Sequence, residues 1–358
     1  MSAEKWASSH ICGRTKNSKA RKLRTALLDI LELHRESAPL ATYILISLIP
    51  IPPSAWESRW HTMVAAKKTC RNAQAAIVVS YMCRKGDAKA FEAVMACAKA
   101  IIILDELTLT PHPSDAATVV EAQKWTTLYI NAFDHVVRGT QTQHTFGSLA
   151  ASVNECLGDL YRKDFLDAST AFAQGIVQGA VDRQEAQDAN TKLTVDVYLA
   201  TCRNAVGVKP SLVLAWSIGG LDRYSKLLDN DPSVRGMEEA TADLVLIARD
   251  IYSYKKKLAD NGAHYNLLTV LMQDPKWGHP DLQGAIDCAG QLFESAVARF
   301  KECRANLPSI DEETDMILAT YADVMVDTFA GHVEWCLICP YYSVFENEES
   351  RQKGLLSL

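Results

Sequence analysis

The sequence lacks any long hydrophobic run. Its longest apolar stretch, residues 43–51, is too short to cross a bilayer and contains Pro50. The first ten residues, MSAEKWASSH, also lack the basic and then apolar profile of a secretory signal peptide. We therefore expect a soluble, cytoplasmic protein with no membrane span.

An excess of positive charge is also absent. The 37 Lys and Arg residues are outnumbered by 43 Asp and Glu residues, which gives a formal net charge of −6. This balance does not favour nucleic acid as a partner, because phosphate backbones attract basic surfaces. Hydrophobic residues make up 48% of the 358 residues and charged residues 22%, so the chain can bury a sizeable core and is not generally disordered.

The ten cysteines follow neither a disulfide framework nor a zinc-binding pattern. The C-x-x-C pair Cys336 and Cys339 has no second pair and no nearby pair of histidines, whereas a structural zinc site needs four ligands. We interpret these two as packing residues and the whole set as reduced thiols of an intracellular protein. Glycine-rich phosphate loops and the G-x-S-x-G motif are lacking too, which argues against a nucleotide-binding loop or a serine hydrolase.

Helical periodicity dominates the rest of the sequence. From about residue 20 onward, apolar residues recur at intervals of three and four, as in residues 293–300, whereas alternating β-branched runs are scarce. Clusters of Gly, Pro, Asn and Asp divide the chain into roughly ten to twelve helical segments. No repeat and no long linker is visible. We predict a single-domain, all-α bundle over residues 21–345, with a basic N-terminal tail at 1–20 and a C-terminal tail at 346–358.

Two adjacent acids, Asp105 and Glu106, follow an apolar stretch that is typical of a buried helix beginning near residue 88. Carboxylates at the C-terminal end of such a helix are disfavoured by the helix dipole and by their mutual repulsion, so a positive group should compensate them. A divalent cation bound by oxygen ligands is the natural candidate. The alternative is that the acids mark the point where the helix reaches solvent.

A second predicted helix, residues 241–258, is strongly basic at its C-terminal end. Arg249, Ser253 and Lys257 are four residues apart, so they lie on one face of the helix. Lys256 adds positive charge beside this face. Taken alone, the pattern is also that of a solvated basic helix end, which the helix dipole favours.

Five segments resemble, in order and spacing, the motifs of class I terpene synthases, and of fungal sesquiterpene cyclases in particular. The resemblance extends from about residue 75 to residue 345. The segments are L-D-E-L-T-L at 104–109 for the aspartate-rich motif, Y-L-A-T-C-R-N-A-V-G-V-K-P at 198–210 for Y-x-x-x-R-R-x-T-x-G-x-x-P, R-D-I-Y-S-Y-K-K-K at 249–257 for N-D-x-x-S-x-x-K-E, D-L-Q-G-A-I-D at 281–287, and G-H-V-E-W-C-L-I-C-P-Y-Y at 331–342 for W-x-x-x-x-x-R-Y.

This resemblance implies an all-α enzyme with an apolar cavity, a carbon–oxygen lyase that ionises a prenyl diphosphate with Mg²⁺ and directs the resulting carbocation. Asp105 and Glu106 match the magnesium-binding acids of the family. Ser253 matches the serine ligand, and Lys256 matches the lysine that contacts the diphosphate. Tyr342 matches the tyrosine of the terminal R-Y pair, which also lies at the diphosphate.

The resemblance further assigns Arg203 as a catalytic, diphosphate-sensing arginine, because it precedes Arg249 by 46 positions. Two residues, Val206 and Gly207, match the positions at which the family's helix breaks beside the substrate. Phe91 and Met95 lie on the helix that faces the cavity in the family. We therefore expect four cavity residues: Phe91, Met95, Val206 and Gly207.

The sequence departs from the family pattern at four positions. The fifth position of the aspartate-rich motif is Leu109, the Asn and Glu ligands of the second motif are Arg249 and Lys257, and the terminal arginine is Tyr341. At roughly 4 Å and an effective dielectric constant of about 20, each like-charge contact with a cation costs on the order of 4 kcal/mol, and a divalent ion doubles this. One magnesium ion of the family therefore cannot bind in its usual way.

Two interpretations of these departures stay open. In the first, Arg249 and the catalytic Lys257 replace the lost ion as donors to the diphosphate, with fewer than three Mg²⁺ ions held elsewhere. This arrangement resembles that of the atypical fungal humulene synthases, and it favours conversion of farnesyl diphosphate to a sesquiterpene, of humulene type in its most specific form. In the second, the protein binds isoprenoid diphosphates without turnover. In either case we expect a small-molecule prenyl diphosphate as the partner of a monomer or homodimer.

Overall fold

The computed structural model describes most of the chain after residue 87 and two residues before it. The described residues are Val79, Met82, 88–109, 115–138, Thr140, 146–186, 193–219, 231–259, Gly262, 264–338 and Tyr342. They contain helices and no β-strand, which confirms the all-α prediction. The predicted tails, residues 1–20 and 346–358, lie outside the described residues.

Ten α-helices make up this part of the molecule. They are α1 (Ala88–Leu109), α2 (Asp115–Val137), α3 (Gly147–Asn154), α4 (Arg162–Ala186), α5 (Val195–Ala205), α6 (Val208–Ile218), α7 (Pro232–Ala259), α8 (Leu267–Gln273), α9 (Leu282–Ala305) and α10 (Glu312–Ile338). Short 3₁₀ turns at Asp159–Tyr161 and Pro275–Trp277 precede α4 and follow α8. None of the described helices combines the length with the apolar character that a membrane crossing requires.

The longest of the described helices, α7, is the centre of the bundle. It packs mainly against α9 and α10 and also contacts α5, α6 and α8. Its middle is buried on nearly every side, from Ala240 to Ala248, as expected for a helix surrounded by others. On the other side of the bundle, α4 packs against α1, α2, α5 and α6. This packing brings the C-terminal end of α1 and the basic C-terminal end of α7 close together, so that both line one pocket.

Side-chain caps and a glycine set the ends of the helices near this region. The Thr194 side chain accepts a hydrogen bond from the Val197 N–H at the start of α5, and Asn266 caps α8 through the Leu268 N–H at 2.9 Å. Between α5 and α6 the backbone turns at Gly207, whose φ of 73° lies in the left-handed region. The helix break predicted at Val206 and Gly207 is thus present between α5 and α6.

All six described cysteines are free thiols. Cys336 is fully buried in the hydrophobic core, as expected of a packing residue, and Cys339 lies outside the described residues. Burial raises the pKa of the Cys97 thiol to about 12 despite a hydrogen bond with Ser211, so this thiol is protonated and unreactive at neutral pH.

Candidate active site

A narrow pocket lies where the end of α1 meets α4, α5 and the C-terminal half of α7. Its volume is about 60 Å³. A pocket of this size has no room for a fifteen-carbon chain. The pocket is lined by Asp105, Thr108, Ile176, Gly179, Arg183, Cys202, Ala205, Arg249, Ser253, Lys256, Lys257, Tyr265 and Tyr342.

The face of α7 that the sequence predicts to be basic forms one wall of this pocket. Arg249, Ser253 and Lys257 all line it, together with Lys256. The side chains of Arg249 and Lys257 are only 16% and 15% exposed, so they are not a solvated helix end. The structure therefore brings together six of the residues predicted for the site: Asp105, Arg249, Ser253, Lys256, Lys257 and Tyr342.

A fully buried carboxylate, Asp250, holds the two unusual cations of α7. Lys257 Nζ donates to Asp250 Oδ1 at 3.1 Å, and Arg249 Nε lies 3.5 Å from the same oxygen. The other oxygen accepts hydrogen bonds from the Leu267 N–H at 3.0 Å and from the Tyr198 hydroxyl. Burial alone raises the pKa of Asp250, but the charges of Lys257 and Arg249 and these hydrogen bonds lower it below its ordinary value.

Asp250 also favours the charged form of its neighbour. Burial on its own lowers the pKa of Arg249, whereas the adjacent Asp250 and the more distant Asp105 raise it above the ordinary value for arginine. Asp250 is not among the residues predicted for the site. A carboxylate seven positions before Lys257 on a buried helix is the sequence signal that points to it, because a buried charge requires a partner.

Two polar atoms of α7 have no hydrogen-bond partner among the described residues. Ser253 is 4% exposed and its Oγ makes no hydrogen bond, and the buried Nε of Arg249 makes none either. A buried polar group left without a hydrogen bond is costly, so the Ser253 hydroxyl is suited to a ligand that supplies oxygen atoms. Arg249 Nε already has Asp250 as its ion-pair partner.

Arg183, on α4, is a pocket residue that the sequence motifs do not indicate. Its Nη2 donates to the Thr108 carbonyl oxygen at 3.3 Å, and its guanidinium carbon lies 5.4 Å from the centre of the Tyr265 ring. Burial lowers its pKa, while Tyr265 and Asp105 act in the opposite direction. Gly175, Gly179 and Arg183 are four residues apart, so the signal in the sequence is a glycine stripe that ends in a cation on one face of α4.

Arg203 lies outside this pocket, so its contact with a diphosphate stays a prediction. Its Nε and Nη2 donate to the two carboxylate oxygens of Asp243 at 2.6 and 3.0 Å. Arg299 donates to the same carboxylate. Arg203 instead lines a separate groove between α4, α5, α6 and α7, and the preceding residue, Cys202, faces the charged pocket.

The four predicted cavity residues are not part of the pocket wall either. Met95 is 4% exposed and belongs to the hydrophobic core, against which Phe91 and Val206 pack. Gly207 lies against the side chain of Ile101. Of the described side chains of α1, Asp105 and Thr108 line the pocket. Met95 precedes Asp105 by ten residues, which is about 15 Å along a helix.

Few of the described side chains at this pocket could hold a metal ion. Asp105 supplies one carboxylate that could bind a metal ion, and the side chain of Glu106 is not among those that the structure describes. Among the described residues, no group of three His, Cys, Asp or Glu side chains converges as a metal site would. On α7 the guanidinium of Arg249 and the ammonium of Lys257 flank Ser253, and cations at these positions do not fit a divalent ion.

An all-α bundle with a charged pocket between an aspartate-bearing helix end and a basic helix has the architecture of class I terpene synthases. The linalool/nerolidol synthase of Streptomyces clavuligerus superposes with a TM-score of 0.60 at 16% identity, over 78% of this chain and 91% of that one. The germacradien-4-ol synthase of Streptomyces citricolor gives a TM-score of 0.58 at 14% identity, over 89% and 92%. These similarities establish the fold.

Sequence comparison establishes the family. The model of terpene synthase family 2, C-terminal metal binding, matches residues 97–299, more than half of the chain. Sesquiterpene synthase Agr1 of Cyclocybe aegerita is 27% identical over 65% of this chain and 67% of its own length. Sesquiterpene synthase 3 of Postia placenta is 29% identical over 62% of this chain, which covers 58% of that relative. The chain belongs to the terpene synthase family.

Proposed function

We propose that the protein is a sesquiterpene cyclase that ionises farnesyl diphosphate, a carbon–oxygen lyase. The observation that carries the proposal is the pocket in which Arg249, Ser253, Lys256 and Lys257 of α7 face Asp105 of α1. Two relatives named as sesquiterpene synthases support the choice of a fifteen-carbon substrate.

In the proposed reaction, the bond between C1 of the isoprenoid and the diphosphate oxygen breaks heterolytically. The electron pair stays on the diphosphate oxygen, and the allylic carbocation cyclises and then loses a proton. Donors that are fixed before the reaction stabilise the charge that develops on the leaving oxygen. Arg249, Lys256 and Lys257 supply these donors at the pocket wall, and the unpartnered Ser253 hydroxyl supplies another.

Metal ions have a smaller role in this proposal than in the usual family member. Asp105 and Glu106 would hold Mg²⁺, which neutralises phosphate charge when it is bound. Arg249 and Lys257, fixed by Asp250, take the place of the ion that α7 would otherwise bind. We therefore propose fewer than three ions.

The direct test is to incubate the purified protein with farnesyl diphosphate and Mg²⁺ and to analyse the volatile products by gas chromatography and mass spectrometry. We expect a sesquiterpene hydrocarbon, with humulene as the product that the sequence resemblance predicts. The second candidate, a relative that binds without turnover, is favoured by the two cations at metal-ligand positions. It predicts binding of the diphosphate with no hydrocarbon from any prenyl diphosphate.

Substitution of Lys257 tests whether this residue is a functional cation or a former metal-ligand position that has lost its function. Lys257→Glu restores the residue type of the family motif but removes a donor and adds negative charge beside Asp250. If Lys257 does the work of an ion, kcat/KM should fall about 100-fold or more, the loss expected for a charge-assisted hydrogen bond to the leaving group. Lys257→Gln, which removes the charge alone, should also lower kcat/KM.

Lys255→Glu provides the matched control for this experiment. It makes the same charge change on the same helix, but Lys255 does not line the pocket. We expect kcat/KM within about threefold of the wild-type value, because this partly buried side chain lies outside the pocket wall. Turnover that improves in Lys257→Glu would contradict the proposed role of Lys257.

A further inference from the structure

We propose that Arg183, and not Arg203, is the arginine that holds the diphosphate group in this protein. The inference rests on the proposed function, because it assigns a further residue to the same pocket. The guanidinium groups of Arg183 and Arg203 have different hydrogen-bond partners among the described residues.

Arg203 is already paired. Its bidentate hydrogen bonds to Asp243, at 2.6 and 3.0 Å, match the geometry in which a guanidinium binds two oxygens of one anion. To reach a diphosphate in the charged pocket, Arg203 would have to leave the Asp243 side chain, which is only 6% exposed. Asp243 also accepts a hydrogen bond from Arg299, so this carboxylate links Arg203 to a second arginine in the absence of any ligand.

Arg183 has no such partner in the described part of the chain. Among the described residues, no carboxylate oxygen lies within 4.0 Å of its guanidinium, and its one hydrogen bond there is the 3.3 Å contact with the Thr108 carbonyl. An arginine has five N–H donors, so most of them remain for a ligand. Since burial is enough to lower its pKa, this charge has been partly withdrawn from water, and an anion in the pocket is the group that would compensate it.

Arg183 supplies positive charge next to the C-terminal end of α1, where Asp105 and Glu106 lie. The Thr108 carbonyl belongs to the last turn of that helix, where the helix dipole is negative. A guanidinium at this point compensates the helix end and Asp105, which is the role that the sequence suggested for a divalent cation. Arg183 on α4 and Arg249 on α7 then hold a diphosphate between them, and Tyr265 supports the plane of the Arg183 guanidinium.

Close packing of α4 makes this position possible. A Cβ on Gly175 would lie 2.7 Å from the backbone nitrogen of Ala205, and one on Gly179 would lie 3.4 Å from the Tyr265 hydroxyl. The two glycines therefore allow α4 to approach α5 and the Tyr265 side chain. Arg183, one helical turn beyond Gly179 on the same face, is carried to the pocket.

Binding of inorganic pyrophosphate, measured by isothermal titration calorimetry with and without Mg²⁺, tests the assignment without requiring turnover. We expect Arg183→Gln to weaken binding about 10- to 100-fold, and Arg183→Lys, which keeps the charge but not the paired donors, to weaken it about tenfold. The assignment of Arg203 to the diphosphate predicts the opposite, a large loss for Arg203→Gln and none for Arg183→Gln. Arg299→Gln, which removes an arginine from outside the pocket, serves as the control and should bind within about threefold of wild type.

The outcomes separate this inference from the proposed function. If the wild-type protein binds pyrophosphate and produces a hydrocarbon while Arg183→Gln and Arg183→Lys bind as tightly as wild type, the assignment of Arg183 is wrong and the proposed function stands. If the wild-type protein binds no pyrophosphate with or without Mg²⁺ and gives no hydrocarbon, both are wrong. Circular dichroism and thermal unfolding of each variant identify any that do not fold, and Arg183→Lys, the more conservative change, decides the question if Arg183→Gln is one of them.

Discussion

His332, on α10, is an imidazole held in its neutral form inside the bundle. Its Nε2 atom is buried and has no hydrogen-bond partner among the described residues, and its ring centre lies 5.3 Å from that of Trp335. Burial, reinforced by the positive charge of Arg249, lowers the pKa of His332 to about 3. This side chain therefore stays uncharged in the folded protein at every pH at which the protein is expected to work.

A pH-dependent loss of stability follows from this depressed pKa. The unfolded chain binds a proton at His332 below its ordinary pKa of about 6.5, whereas the folded protein does not until about pH 3. Stability from this residue is therefore lost as pH falls below 6.5, by about 2 kcal/mol between pH 7 and pH 5. In urea unfolding at these two pH values, His332→Gln should lose about 2 kcal/mol less than wild type.

His135→Gln makes the same substitution at an exposed histidine on α2 and serves as the matched control variant. A His332→Gln protein whose stability depends on pH as steeply as that of wild type would show that His332 is accessible to protons in the folded state.

At the scale of elements, the junction between α5 and α6 is fixed by a glycine for two separate reasons. Gly207 has a φ of 73°, which L-residues with a side chain rarely adopt, and a Cβ there would lie 2.7 Å from Cγ2 of Ile101. Gly278 has a similar φ of 74° but no atom within 4 Å of the added Cβ. The two positions therefore separate backbone strain from steric contact with α1.

Gly207→Ala should destabilise the protein by about 2–4 kcal/mol, because left-handed strain of about 1 kcal/mol is added to an overpacking penalty of about 1–3 kcal/mol. Gly278→Ala, with the strain alone, should cost about 1 kcal/mol. Urea unfolding of both variants gives the comparison.

Ile101→Ala tests the cause of the difference. In this background the added methyl group of Gly207→Ala has room, so the double variant should be more stable than the sum of the single changes by about 1 kcal/mol or more. Equal costs at Gly207 and Gly278, or strict additivity with Ile101→Ala, would show that α1 does not constrain the junction.

The direction in which a helix presents its side chains was predictable for α7 but not for α5. On α7 the four-residue spacing of Arg249, Ser253 and Lys257 requires one shared face, and all three line the pocket. On α5 the motif fixes only the register, and Cys202 and Arg203 lie about 100° apart around the helix. Asp243, 40 residues later, binds Arg203 and thereby leaves Cys202 facing the pocket. The α5 motif does not include Asp243, so the motif alone could not predict this orientation.

For the molecule as a whole, the all-α class and the meeting of the aspartate-bearing and basic helices could be predicted, because apolar periodicity and motif order depend on local sequence. Arg183 could not, because it reaches the pocket only through the packing of α4 against α5 at Gly175. The role of Asp250 at the site could not be predicted for a related reason. Its partners Tyr198 and Leu267 are 52 residues before it and 17 residues after it, and only the folded chain brings them together.

Asp243 joins three helices that are far apart in the sequence, since it lies on α7 and binds Arg203 of α5 and Arg299 of α9. The side chain of Asp243 is 6% exposed, whereas the arginine side chains are 32% and 37% exposed. Because the arginines are partly solvated, the full penalty for breaking a buried ion pair does not apply. We expect Asp243→Asn to lower the free energy of unfolding by about 2–3 kcal/mol, as two cations lose their partner at once.

Asp323→Asn is the matched control, because Asp323 pairs with Arg304 of α9 at 2.9 Å and is more exposed than Asp243. Its loss should cost at most about 1 kcal/mol. Arg203→Gln should cost less than Asp243→Asn, because Asp243 still has Arg299. Urea unfolding gives these costs, and pyrophosphate titration should show that Asp243→Asn binds as wild type does, since Asp243 does not line the charged pocket. A large loss of pyrophosphate affinity in Asp243→Asn, with little change in stability, would instead mean that this cluster serves the ligand, and that Arg203 leaves Asp243 when the diphosphate binds.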